Sequence, residues 1–303
     1  MKNTAFHITT CALVAAMTCQ MFQTAQAQND LIVHVEGLGA DTVYLAHYYG
    51  AKLFYNDTAV ANANGTVRFE GKPRSEGGKY ALVLPGPKFF EFLMVDEPME
   101  FQTTASDPAK DLEVIQSKEN DVFYGYMQFI QKKRNERAPF VAVLQDSTAT
   151  VQEVAAAREG IQALTNEVNE YQHFLTHDPR DFLFGKYLTM LNEPKMPDAP
   201  ADVLDKSMWQ YMWYRDHYWD RVDFADARLV RDGAFDQLIS RYWAKVLPQM
   251  PDTMLAEGHK LLQKTLDSGN QDMFKYLLHH MTYASESSKI MCMDKVFVEL
   301  VNT

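Results

Sequence analysis

The densest group of chemically able side chains lies between Trp209 and Asp226, where three Trp, four carboxylates, one His and two Arg are interleaved. Aromatic faces bounded by carboxylates can stack on a sugar or a peptide side chain and hydrogen-bond its polar edge. A ligand site built here would use Trp213, Asp216, His217, Trp219, Asp220 and Asp223. An Asp beside His217 could also do acid–base work. In the competing arrangement Trp209, Trp213 and Tyr218 pack a core while Asp216, Asp220 and Arg221 pair on the outside. Packing is favoured, because no nucleophile or metal motif accompanies the stretch. No catalytic residue is assigned.

Other candidates are thinner. His173 and His177 are four apart, a spacing that puts two imidazoles on one helix face. Pro179 follows closely and no Glu follows the first His, so a solvated helix end is expected rather than a metal site. His279 and His280 are adjacent and diverge around a helix. Gly37-Leu38-Gly39 lacks the third Gly of a dinucleotide loop and is expected to be a turn. There is no G-x-S-x-G, P-loop or H-E-x-x-H pattern, and no cofactor is implied.

Residues 1–27 carry the features of an export signal: Lys2, an apolar run from Ala12 to Met17, and Ala25 and Ala27 in the A-x-A pattern of signal peptidase. Cleavage is expected after Ala27, with the product in a Gram-negative periplasm. Lipid attachment at Cys19 is disfavoured, since Met17 and Thr18 precede it where a small Gly, Ala or Ser is preferred. Cys11 and Cys19 fall within this segment. That leaves Cys292, which cannot close a disulfide or run dithiol exchange alone. Among Ile290, Met291 and Met293 it is expected to be a small buried hydrophobe.

The elements that must position these residues are those of a globular chain. Its 303 residues accommodate two domains, and 47% hydrophobic with 23% charged residues excludes wholesale disorder. Lys and Arg number 29 against 40 Asp and Glu, a net charge of -11 that a nucleic-acid backbone repels. The basic run Lys132-Lys133-Arg134 is diluted by Glu136, so no nucleic-acid partner is expected. Past the signal, no apolar stretch reaches the ~18 residues of a membrane span.

From Leu31 to Ile115 the pattern has the short period of strands, with runs at 31–35, 42–46, 66–69, 80–84, 89–95 and 99–103. Asn64-Gly65 predicts a type I′ hairpin turn. Beyond Ser117, a plausible N-cap, the period becomes helical. Val122, Phe123, Tyr126, Phe129 and Ile130 form one apolar face, and Pro139 is expected to end that helix. A long helix follows over 147–175, and Asp178-Pro179 is expected to cap the next, over 182–191. Further helices are predicted at 204–219, 233–247, 252–267, 271–284 and 289–301, with short loops that imply antiparallel hairpins. The expectation is an α+β chain: an N-terminal antiparallel β-sandwich over 28–116, then an all-α helical-hairpin bundle over 117–303. Helical register persists through Leu300 and Val301, so either the last helix frays at Thr303 or the polypeptide is longer.

Thr42-Val43-Tyr44-Leu45 and Tyr48-Tyr49-Gly50, ahead of Asp57-Thr58-Ala59 and Asn64-Gly65, resemble the amino-terminal accessory domain of exported thioredoxin-like proteins of the TlpA/ResA type. The stretch from His217 to Leu229 resembles the helical domain that follows it in those proteins. The resemblance implies a non-catalytic accessory region, with a C-terminal thioredoxin-like domain and its protein clients as partners. No cysteine here matches that domain's W-C-x-x-C pair. The other expectation, from the aromatic–acidic stretch, is a stand-alone periplasmic peptide- or glycan-binding protein.

Overall fold

A computed structural model describes residues 31–69 and 76–303; the expected signal segment lies outside them. Eight strands come first: β1 (Leu31–Glu36), β2 (Thr42–Tyr49), β3 (Lys52–Val60), β4 (Thr66–Phe69), β5 (Gly78–Leu84), β6 (Lys88–Met94), β7 (Met99–Thr104) and β8 (Glu113–Gln116). They form two four-stranded sheets, ordered β4-β1-β7-β8 and β3-β2-β5-β6. Alternation explains the layering. Leu31, Val33 and Val35 of β1 point inward, as do Leu82 and Leu84 of β5, and Phe90, Phe92 and Phe101 pack ring to ring at 5.3–6.0 Å.

The α+β class is as the sequence predicts, with differences inside the β unit. β1 pairs with β7 in parallel, so the sandwich is not wholly antiparallel. Residues at both ends of the unit meet in one sheet, which a meander of hairpins would not allow. β3 and β8 escape sequence detection for a common reason. Most of their side chains are exposed, so neither shows the inward alternation that marks a strand. Asn64-Gly65 is not a type I′ hairpin turn. Gly65 takes φ 76° and Asn64 stays at negative φ, while Asn62 Oδ1 accepts from the N–H groups of Asn64 and Thr66, both at 2.9 Å. The turn carries the chain from β3 in one sheet to β4 in the other.

The helices are α1 (Lys118–Gln145), α2 (Val151–Thr176), α3 (Leu183–Leu191), α4 (Lys206–His217), α5 (Gly233–Arg241), α6 (Pro251–Asp267), α7 (Gln271–Glu286) and α8 (Met293–Val301). A 3₁₀ turn, Ala227–Arg231, precedes α5, and one π-helical turn, Tyr242–Val246, follows it. α1 and α2 form an antiparallel hairpin. Tyr126 meets Gln172, Lys133 meets Glu167, and the Phe140 ring lies where a Cβ on Gly160 would fall, 2.5 Å away. That last contact explains why Pro139 does not end α1. The proline removes one N–H from the helical ladder, yet packing beyond it holds the chain in register. Among the described residues no helix is long and apolar enough to cross a membrane.

Buried polar contacts join the β unit to the helices. The Ser117 hydroxyl caps α1, accepting from Asn120 N at 3.0 Å and donating to Glu97 Oε1 at 2.6 Å. Asn120, fully buried, behaves like one more strand residue beside β6. Its Oδ1 accepts from Leu93 N at 2.8 Å and its Nδ2 donates to Leu93 O at 2.9 Å. The Leu93 side chain belongs to the helical core. Across the junction Gly50 N donates to Val230 O at 2.7 Å, with φ 56° and no room for a Cβ against Tyr276. Buried Arg231 pairs with Glu76 and lies 3.6 Å from Asp272.

Glu119 closes the junction. Asp178-Pro179 does not cap α3: its N-cap is Phe182, which has no side-chain oxygen to offer. Buried Glu119 supplies it from another helix, with Oε2 accepting from Leu183 N at 3.1 Å and Oε1 from Phe184 N at 2.7 Å. Burial pushes this carboxyl above its ordinary 4.5, against the pull of the two N–H groups. A carboxyl that binds its proton more tightly when folded stabilises most below the unfolded value, and that contribution is lost as pH rises through the folded one. Glu119→Gln should therefore flatten this part of the pH–stability profile. At neutral pH it should cost about 1–3 kcal/mol, because the amide turns an NH₂ toward one of the two donors. Urea unfolding between about pH 4 and pH 8 checks both effects; an unchanged slope in the variant would assign the pH dependence to another group.

Candidate functional site

The aromatic–acidic stretch occupies α4 and the turns after it. Asp205 caps α4, accepting from Met208 N at 2.9 Å. At the far end the chain leaves the helix at Tyr218, and here the stretch divides. Tyr218 and Trp219 turn into the core, 0% and 5% exposed, with rings 5.2 Å apart and the Trp219 ring 5.0 Å from Tyr242. The Tyr218 hydroxyl donates to Leu238 O at 2.9 Å. Arg221 is buried as well, its guanidinium 4.8 Å from the Tyr218 ring centre and NH1 donating to Asn192 O at 2.9 Å.

Of the six expected ligand residues, Trp213, His217 and Asp220 come together. The Trp213 and His217 rings lie 4.3 Å apart, and His217 Nδ1 is 2.6 Å from Asp220 Oδ2. Asp216 sits on the same helix and pairs with Arg215 at 3.1 Å. Trp219 does not join them, because its ring faces the opposite side of the chain. Nor does Asp223, which pairs with Lys186 at 3.0 Å; the same ammonium is 3.0 Å from Asp226 and 3.4 Å from Asp181. Arg228 holds Asp226 at 2.6 Å, and against its burial these two cations keep its carboxyl at about 2. The cleft between Asp216, Trp219, Tyr242 and Glu257 is about 10 Å³, the space of one water and not of a sugar ring.

Two polar constellations escaped the sequence pattern. On the outer face of the first sheet His34 bridges strands, with Nε2 2.8 Å from Glu100 Oε1 and Nδ1 3.2 Å from Thr66 Oγ1. An open groove of about 520 Å³ runs beside it, between His34, Glu36, Asn64 and Gln102. The second lies between α5 and α7. Ser240 Oγ is 3.3 Å from His280 Nε2, and Asp236 Oδ1 is 3.5 Å from His280 Nδ1. Tyr276 donates to that same Asp236 oxygen at 2.5 Å, so the carboxylate is already engaged. Burial holds His280 below its ordinary 6.5. These seven bonded residues are spread over 34–100 and 236–280. Only strand register and helix packing bring them together, and the outward position of His34 in an alternating strand is the one signal in the chain itself.

His173 and His177 stack on each other, rings 4.1 Å apart, at the end of α2. Among the described residues no group of three or more His, Cys, Asp or Glu is placed to hold a metal ion. Cys292 is exposed rather than buried. It takes φ 67° just before α8, and this left-handed turn sends Met293 into the core while Met291 stays in solvent.

Residues 147–303 match a family model described as a domain of unknown function, DUF5106, which spans α2 to α8. No curated protein and no solved structure matches the chain.

Proposed function

We propose that this chain, which belongs to the DUF5106 family, is an exported accessory and binding region of a thioredoxin-like thiol–disulfide oxidoreductase, positioning a redox domain and recruiting its clients. The observation that supports this is the junction. A region that sets the distance between a redox domain and its clients must itself hold one geometry. Here the Asn120–Leu93 and Gly50–Val230 contacts tie sandwich and helices together at buried polar points. Such points tolerate sliding poorly, because each shift leaves donors unpaired away from water. The division of the aromatic stretch agrees with the reading: half of it builds the core that the junction rests on.

The test is the intact mass of the native product, captured from cells with an antibody to the helical region. A product extended by a thioredoxin-like domain of roughly 100–150 residues is expected. A product without such a domain, and with no redox protein bound to it, would overturn the proposal. The second reading, a stand-alone binding protein for peptide or glycan, is favoured by one observation, the part-exposed Trp213–His217–Asp220 group.

A further inference from the structure

The two sheets end in four edge strands, and one of them is left open. β4 and β8 are four residues long and carry Arg68 and Glu113, so length and charge both discourage pairing. The β6 edge is covered from α1. Asn120 bonds both main-chain groups of Leu93, and the Tyr124 hydroxyl donates to Glu91 O. Leu93 and Glu91 are alternate residues, so these groups point out of the sheet along one edge. β3, at the opposite edge of the same sheet, is the longest strand at nine residues and has no such cover. Its second half is blunted, because Asn56 is an extra residue against β2 and Asp57 Oδ1 accepts from Thr58 N at 2.7 Å. Its first half, over 52–56, stays open. Among the described residues no main-chain group there bonds outside β2.

We infer that this half-strand takes up an extended polypeptide segment as a further strand of the sheet, and that the segment belongs to an unfolded client. The source of the clients rests on the accessory reading. Main-chain N–H and C=O groups in a row are matched by another extended backbone. Side chains set the preferred character of that segment. By register Leu53 lies opposite Tyr48 and Tyr55 opposite Ala46 on one face, with Phe54 opposite His47 on the other. The Tyr55 ring meets Tyr44 at 5.4 Å and the Phe54 ring stacks on His47 at 5.9 Å, yet Tyr55 is 66% and Phe54 45% exposed. Apolar residues on an incoming strand would find a neighbour on either face. The edge is held ready for them. Gly50 N, at the hairpin tip, is bonded to Val230 O at 2.7 Å, and Ala61 N, past the strand, to Asp41 O at 2.8 Å. Length selects the occupant. The open edge runs about 17 Å, too little to bury the roughly 1,200–2,000 Å² of a stable contact between folded proteins. A second folded copy is therefore a poor fit. An unfolded segment, free to follow both faces of the strand, is a good one.

The experiment titrates the full chain with a short capped peptide of alternating Val and Thr, read by calorimetry and by amide hydrogen exchange. Binding should slow exchange within 52–56 and leave the β6 edge, already covered by Asn120, unchanged. The same peptide N-methylated at every amide keeps its side chains but loses its donors, and should bind at least about tenfold more weakly. Leu53→Lys with Tyr55→Lys should weaken binding of the unmethylated peptide at least about tenfold, since lysines discourage edge pairing. The thermal midpoint should change little, because both side chains are exposed. Should that variant fail to fold, the N-methylated peptide tests the same ladder on the parent chain. No binding of the Val–Thr peptide, equal affinity for its N-methylated form, or protection that falls outside 52–56 would overturn the inference. So would a dimer in sedimentation that the lysine substitutions abolish, which would make a second copy the occupant. These outcomes are separable from the mass test. A native product fused to a redox domain but unable to bind the peptide removes the edge site and leaves the accessory reading standing; peptide binding without such a domain does the reverse.

Discussion

Trp219→Ala should lower the stability of the folded chain by about 3–5 kcal/mol, against less than about 1 kcal/mol for Trp213→Ala. The two residues lie six apart in one aromatic run and differ in what surrounds them. The Trp219 ring packs 5.0 Å from Tyr242, 5.2 Å from Tyr218 and 6.4 Å from Phe235. Truncation would leave a cavity that large, well-fixed neighbours cannot collapse to fill. Trp213 is half-exposed on α4 and loses mainly its contact with His217. Urea unfolding followed by far-UV circular dichroism measures both costs. Equal costs would mean that Trp219 is not the core residue described here. A ligand site that needs the Trp219 indole is incompatible with this arrangement, since presenting the ring would open the helical core.

Asn120→Ala should cost roughly 3 kcal/mol, more than most polar substitutions, because two backbone groups of Leu93 lose their partners in a buried junction. Asn120→Asp is the sharper control. A carboxylate can still accept from Leu93 N, yet it turns an oxygen toward Leu93 O, so it should recover little of the loss. If aspartate restored full stability, the bond from Nδ2 would be unimportant and the junction would rest on apolar contact alone. Thermal unfolding of both variants decides this, with the β and helical units expected to melt in one transition in the parent chain.

Much of the architecture was legible in the residues. Period two ahead of Gln116 and period 3.6 after Lys118 are direct consequences of where side chains point on strands and helices, so the α+β class followed from pattern alone. Ser117 advertises a helix start because its cap is a local bond between a side chain and an N–H three residues on; Thr150 and Asp205 cap in the same way, a few residues inside the starts expected at 147 and 204. The elements that were missed or misplaced share a different cause. β3 lies exposed at a sheet edge, α1 runs through Pro139 because Phe140 packs on Gly160, and α3 takes its cap from Glu119, sixty-four residues away from Leu183.

For the candidate site the same line divides the result. Local spacing put Trp213 and His217 together on one helix and reached Asp220 one turn on, while Asp216 went to Arg215. What spacing cannot decide is which side of the chain meets the rest of the protein. Trp219 and Asp223 were assigned to the surface group by type and proximity, whereas packing turned the first into the core and gave the second to Lys186. Residue type and order determined the class of fold, the start of the first helix at Ser117 and the acidic aromatic character of one helix. Only the tertiary structure decided which of those aromatics are buried, which carboxylates are already paired and which sheet edge is left without cover. Burial and charge pairing depend on neighbours distant in the chain, and no local period encodes them.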